Sequence, residues 1–315
     1  FYSCNFINNT VYGGYADGAA VYFEGGARDV LFKDTLFNNN LVLHDMGTTG
    51  SNVYASGTGA AAYIGSNSNN VRFIDGQIIN NSVVNLNRYA ARDGYYTDDA
   101  IYVASNSNVT VENYDLNHSG FTNYGNLTVK NVNFTNKSSI LSGGNLNVDT
   151  AIFVNGTDER GRGGGAIYIE SGAATIKNAE FTNNIAHTLG QNYQYSRHAY
   201  AGGAIYVSSG QVWIDNSTFK DNFALWDGGA IYSKGNLTVT NSSFDNNALD
   251  YGGWEPTGYG AAIYLGNSYN TITGCNFTNN AIYGGGAGGA IYADGGSVNN
   301  VIDACRFINN SVTYF

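Results

Sequence analysis

The sequence predicts an all-β chain folded as a parallel β-helix, a solenoid of about eleven turns. Three observations carry that prediction. A two-part motif recurs along the whole chain, the residues between its parts alternate apolar and polar, and Gly and Asn mark the corners. Gly accounts for 42 of the 315 residues and Pro for one. Recurrence of the same residues in the same slots is the sequence signature of stacked repeats, which bury their apolar faces only against one another.

The first half-motif reads DGAAVY ending at Tyr22, GAAAY at Tyr63, DDAIY at Tyr102, GGAIY at Tyr168, Tyr206, Tyr232 and Tyr292, and GAAIY at Tyr264. The second is an F-x-x-N element at Phe6, Phe37, Ile78, Leu116, Phe134, Phe153, Phe181, Phe219, Phe244, Phe277 and Phe307, with degraded copies among the eleven. Between them the period is two, as at Leu237 and Val239 or Val212 and Ile214, which marks half-buried strands. The smallest turns, Leu116 to Phe134 and Phe134 to Phe153, are 18 and 19 residues, room for three short strands and three corners. Eleven turns at about 4.8 Å each give a rod about 50 Å long. A β-sandwich has evenly spaced short strands too, but it does not repeat one residue pattern in every strand.

Each slot then has an expected role. Gly202 and Gly203 precede a strand at a corner that needs positive φ or close backbone approach. Ile205 and Val207 point inward, Ala204 and Tyr206 outward, and Phe219 caps the next inward face. Asn222 is expected at a left-handed corner, with asparagines of successive turns stacked as a hydrogen-bonded ladder. The eight motif tyrosines should line up on one outer sheet face. Alternation puts Cys4, Cys275 and Cys305, each two residues before its Phe, in one inward slot. There Cys275 and Cys305 become stacked neighbours, and buried free thiols are favoured over a disulfide.

Composition narrows the function. The net charge is −10, and Lys plus Arg total 14. Nucleic-acid binding needs a basic surface to displace counterions from phosphates, so it is not expected. No apolar run is long enough to span a bilayer as a helix, and Phe1–Asn9 lacks the features of a signal peptide. Both ends fall inside a repeat. Residues 1–315 are therefore expected to be a single β-helix domain, part of a longer surface protein. Thirteen sequons, at Asn8, Asn80, Asn108, Asn117, Asn126, Asn133, Asn136, Asn155, Asn216, Asn236, Asn241, Asn276 and Asn309, are candidate glycosylation sites of an extracellular glycoprotein.

The pairing of GGA[ILV] with FxxN is similar to the repeats of the polymorphic outer-membrane proteins of chlamydiae and of adhesin-like surface proteins of methanogenic archaea. GGAIY at Gly165, Gly203, Gly229 and Gly289 with FTNN or FDNN at Phe181, Phe244 and Phe277 carries the resemblance, which spans Phe6 to Asn310. It implies a right-handed β-helix at the cell surface. Residues 121–156 lack GGA.

Insertions are confined to one stretch of the repeat. Spacing from the motif tyrosine to the next Phe slot runs 12 to 15 residues, but from that slot back to the next tyrosine it runs 13 to 26. In solenoids such insertions gather on one face, often the binding face. Here they hold Tyr89, Tyr95, Tyr96, Tyr193, Tyr195, Tyr200, Trp226, Tyr251, Trp254 and Tyr259, the candidate binding residues, since Tyr and Trp make rigid amphipathic contacts. Folding of the loops over their own small cores is the competing reading.

Catalytic signals are weak. Asp158, Glu159, Arg160 and Arg162 form the best local carboxylate and base cluster, as a polysaccharide lyase or hydrolase would need; a segment of this kind, DERGRG, is more often a solvated corner. Asp98 with Asp99, and Asp17, Asp227 and Asp250, are further carboxylates that could pair into acid/base or calcium sites. His44, His187 and His198, placed in the variable loops, are expected to make polar contacts rather than bind metal. No cofactor is expected. The resulting expectation is a non-catalytic adhesin or cell-wall stalk that meets a surface glycan or protein through its aromatic loop corner. End-to-end self-assembly is a further expectation, and a polysaccharide-degrading enzyme is the alternative.

Overall fold

The computed structural model describes residues 1–13, 16–45, 58–86, 95–97, 99–157, 162–186, 200–250 and 258–313. It comprises two compact units, Phe1–Asn145 and Leu146–Phe315. Each is a stack of parallel β-helix turns, and among the described residues there is no α-helix.

Three sheets make up each stack. In the first unit the motif-tyrosine strands Val21–Phe23, Ala62–Ile64 and Asp99–Val103 pair in parallel with Gly120–Asn123 and Ile140–Ser142. Long strands Arg28–Asn38, Asn69–Ile79, Asn108–Asn117 and Asn126–Thr135 form the second sheet. Thr10–Gly13, Leu41–Asp45 and Ser82–Leu86 begin the third. In the second unit the tyrosine strands run Ile167–Ile169, Ile205–Val207, Ile231–Ser233, Ile263–Leu265 and Ile291–Ala293. The motif is in exact register there: Phe181, Phe219, Phe244, Phe277 and Phe307 are Cα partners in sequence, as are Tyr206, Tyr232 and Tyr264.

Inside, like stacks on like. The rings of Phe153, Phe181, Phe219, Phe244, Phe277 and Phe307 follow one another at 4.7 to 4.9 Å within 7° of parallel. Ile205, Val207, Ile231, Ile263 and Leu265 are fully buried. Offset ring pairs add about 0.5–1.5 kcal/mol each to the burial itself.

Both glycines of GG have a physical reason. Gly202 has φ +67, and a Cβ there would sit 2.3 Å from the Ile205 carbonyl oxygen. Gly203 does not need positive φ; it needs the space, because a Cβ would meet the Gly229 oxygen at 2.1 Å and the Phe223 oxygen at 2.5 Å. One glycine turns the corner and the other lets the next turn close on it.

The role expected for Asn222 is corrected in part. The left-handed residue of that corner is Asp221, with φ 55, as it is Asn183, Asn246, Asn279 and Asn309 in neighbouring turns. Asn222 follows it and is buried. Its backbone N–H and its Nδ2 both donate to Asn247 Oδ1, at 3.1 and 2.9 Å, and Nδ2 also donates to the Phe181 carbonyl one turn back at 3.0 Å. Asn184, Asn247 and Asn280 repeat the pattern with Asn222, Asn280 and Asn310. The expected ladder exists, but it runs inside the wall. In the first unit Asn9, Asn40 and Asn81 form its start, and the degraded copies continue it through hydroxyls: Asn81 donates its N–H to Ser119 Oγ, and Ser119 to Ser138 Oγ.

The slot two residues before each Phe position holds small or polar side chains, apart from Val132 and one large exception. Tyr114 is buried there and reaches back past Gly76 to the Thr35 hydroxyl at 2.5 Å. A Cβ on Gly76 would lie 2.6 Å from that phenol. Removing one rung of the asparagine ladder leaves two buried partners unsatisfied. Asn222→Ala is therefore expected to cost about 2–6 kcal/mol in urea unfolding, at roughly 1–3 kcal/mol per orphaned group. Asp221→Ala should cost about 1 kcal/mol, through left-handed backbone strain. Equal losses for the two would show that the buried rung has no special weight.

Candidate functional site

The third sheet decides where loops emerge. Segments 46–57, 87–94, 158–161, 187–199 and 251–257 all join a third-sheet position to the next tyrosine strand, so the insertions read from spacing do share one corner within each unit. Tyr89, Tyr193, Tyr195, Tyr251 and Trp254 lie outside the described residues, as do Asp98, Asp158, Glu159, Arg160, His187 and His198. Tyr95 and Tyr96 belong to a strand, Tyr95–Thr97, that turns back and pairs antiparallel with Ser82–Leu86. At that point the inserted chain adds to its own scaffold.

Three candidates are described in full, and all are tied into the corner. Tyr200 is buried, and its carbonyl accepts the N–H groups of Leu225 and Trp226 at 3.1 and 3.2 Å. Trp226 is half-buried. Tyr259 is half-buried too; it donates its N–H to Asp227 Oδ1 at 3.0 Å, and its ring lies 4.4 Å from that of Tyr292. Tyr200 and Trp226 each stand two residues before the first glycine of the next tyrosine strand, so they occupy one slot of successive turns.

The motif tyrosines stand opposite the inward aliphatics, as alternation requires. Tyr22, Tyr63 and Tyr102 stack at 4.8 and 5.1 Å in the first unit; Tyr168, Tyr206, Tyr232, Tyr264 and Tyr292 stack at 4.7 to 5.6 Å in the second. Exposure differs sharply along them. Tyr22 is 52% exposed, whereas Tyr206 and Tyr232 are 5% and 0% exposed and cluster with Ala201 apart from the main core. Outward pointing is thus confirmed and full exposure is not. Face-to-face stacking also turns the ring faces toward one another, so within the row only edges and hydroxyls are left for a ligand. In that respect the ladder is poorly suited to stacking against sugar rings.

Burial shapes the phenols chemically. It pushes Tyr102 and Tyr206 up to about 12, with neighbouring tyrosines adding to the shift, and it raises Tyr232 and Tyr264 as well. Tyr114 is likewise pushed up to about 12 by burial, opposed by its bond to Thr35.

Other candidates are placed as follows. His44 is corrected from a loop to the strand Leu41–Asp45, where it is buried; the third sheet is longer here than the motif suggests. Asp17 accepts from the Thr58 N–H and hydroxyl at 2.8 and 2.9 Å, a structural use of a corner carboxylate. Asp99 is buried and Asp250 exposed. The Arg162 guanidinium stands 6.0 Å from the Tyr168 ring centre. Among the described residues no three His, Cys, Asp or Glu side chains gather as metal ligands. All thirteen sequon asparagines are exposed. Sequence reasoning passed over Trp213, 38% exposed on the second sheet with the Lys177 ammonium 4.4 Å above its ring; alternation alone would have placed it outside.

Fold and corner define a class: a repeat protein whose parallel β-helix turns carry variable loops at one corner of the repeat within each unit. The family model of the Chlamydia polymorphic membrane protein repeat matches residues 178–208 and 216–234, and the chain carries repeats of this type. No curated protein and no solved structure matches it.

Phenols whose folded values lie above the ordinary value of about 10 bind protons more tightly in the folded state. Their stabilisation is complete below about pH 10 and is lost as pH rises toward about 12. The melting temperature should accordingly fall across that window, and Tyr206→Phe combined with Tyr232→Phe should flatten the fall. A pH profile unchanged by the double variant would remove the ladder as its cause.

Proposed function

We infer that the protein is a non-catalytic cell-surface adhesin or cell-wall stalk whose loop-bearing corner binds a glycan or protein of another cell or of the envelope. The observation that carries this reading is the confinement of the long insertions to the same corner of the repeat within each unit, between in-register turns. A scaffold of rigid turns with length variation on one side suits recognition, because rigid elements position contacts while loops supply specificity. The matched repeat is described as one of a membrane protein, which supports a surface location. Exposure of every sequon asparagine supports a glycosylated, extracellular chain.

Two measurements test the reading. Glycan-array and whole-cell binding should be lost, by about tenfold or more, when residues 187–199 and 251–257 are replaced by tight turns, since aromatic anchors dominate such interfaces. Trp226→Ala should weaken binding less, because that residue is partly used by the scaffold. Equal binding by native and shortened chains would move recognition off the corner. The enzymatic alternative predicts unsaturated products or reducing ends from acidic polysaccharides, abolished in Asp158→Ala and Glu159→Ala; such activity would replace the present reading.

A further inference from the structure

Cys275 and Cys305 occupy the same inward slot of successive turns, adjoining the in-register pairs Asn276 with Arg306 and Phe277 with Phe307. Cys275 is fully buried and Cys305 half-buried; both are free thiols. Each sulfur makes the same two contacts. Cys275 Sγ lies 3.4 Å from the Thr273 carbonyl oxygen and 3.7 Å from that of Val239, while Cys305 Sγ lies 3.2 Å from Asp303 O and 3.5 Å from Ile272 O. Identical contacts one turn apart mean that one sulfur is translated onto the other, which keeps them about one strand spacing, roughly 4.8 Å, apart. The preceding turns fill the slot with Ser217 and Ser242, whose hydroxyls donate to the Asp215 and Thr240 carbonyls at 2.9 and 2.7 Å. Sulfur is not needed for that hydrogen bond.

That spacing suits one sulfur chemistry better than another. A disulfide needs Cβ atoms about 3.5–4.5 Å apart and sulfurs at about 2.05 Å. In-register parallel strands hold equivalent atoms farther apart, and the Phe277–Phe307 stack at 4.9 Å beside the pair resists closure. Two metal–thiolate bonds of about 2.3 Å placed end to end span about 4.6 Å, close to the strand spacing. Soft thiolate ligands select soft monovalent ions such as Cu(I).

We propose that Cys275 and Cys305 form a two-coordinate site for a soft monovalent cation of the Cu(I) or Ag(I) class, joining two successive turns from inside. On binding, each thiol gives up its proton to solvent and each sulfur lone pair forms one bond to the metal, without any change in oxidation state. Burial, and behind it the nearby Cys305 thiol, pushes Cys275 up to about 11, so the metal must displace a tightly held proton, as coordinating metals do.

The test is Ag(I), added as the nitrate in chloride-free buffer to the full chain carrying Cys4→Ser, followed by native mass spectrometry, proton release and thermal melting. One ion per chain, two protons released and a higher melting temperature are expected. Cys275→Ser and Cys305→Ser in that background should keep the fold, because serine already fills this slot at Ser217 and Ser242. Each should weaken Ag(I) binding by about 100-fold or more, since two ligands on one scaffold act at high effective concentration. Two ions bound independently, binding unchanged in either single variant, or a Cys275–Cys305 disulfide found by peptide mapping of the unreduced protein would each overturn the proposal.

Discussion

The structure depends on the last asparagine of F-x-x-N. At that point the chain has just passed through a left-handed residue, and a corner of this kind takes backbone groups out of the ladder that pairs one turn with the next. Buried backbone donors and acceptors without partners are costly. The asparagine side chain is itself a primary amide, so it supplies one acceptor and two donors where the strand cannot. Asn222, Asn247 and Asn280 use all three: the oxygen accepts two bonds from the preceding turn, and the nitrogen donates once to each side, while at Asn184 the oxygen accepts from the Gly156 N–H. Because the same carbonyl that receives Nδ2 belongs to the Phe of the previous turn, the ladder also fixes the height at which the rings stack. Phenylalanine register and asparagine register are thus one constraint expressed in apolar and polar terms.

The glycine corner follows a different logic. Backbone approach at Gly203 and Gly229 is so close that any side chain would collide with the next turn, yet among the described residues no continuous side-chain ladder comparable to the asparagines crosses there. An extra residue at the asparagine corner has to be absorbed in the backbone before the ladder can continue. The stretch at Phe134 shows this: Asn136 and Lys137 are both left-handed, and the slot falls to Ser138. Residues added before the glycines leave both ladders intact. Length variation therefore collects where the packing does not count residues, and a recognition surface built from insertions can change without altering the turns.

Much of this was legible because a period-two pattern converts directly into inside and outside. Ile205, Val207 and Phe219 are buried, the motif tyrosines face away from them, and the motif lands in register. Three things were not legible, for separate reasons. Asparagine has two uses next to a corner, as the left-handed residue and as the buried rung, and spacing alone does not say which of two adjacent residues takes which; Asp221 before Asn222 resolves it, since only the second fits an amide ladder. Covering of Tyr206 and Tyr232 depends on chain outside the strand, to which alternation is blind. Tyr114 broke the small-residue rule of its slot, and it does so because Gly76 in the turn before vacates the volume that the ring requires. In a solenoid an exception in one turn is explained by its neighbour, so the column of equivalent positions, more than the linear sequence, is the unit in which such a chain has to be read. The same holds for the candidate site: Tyr200 and Trp226 share a column and are partly absorbed into the scaffold, which leaves specificity to whatever the loops add beyond it.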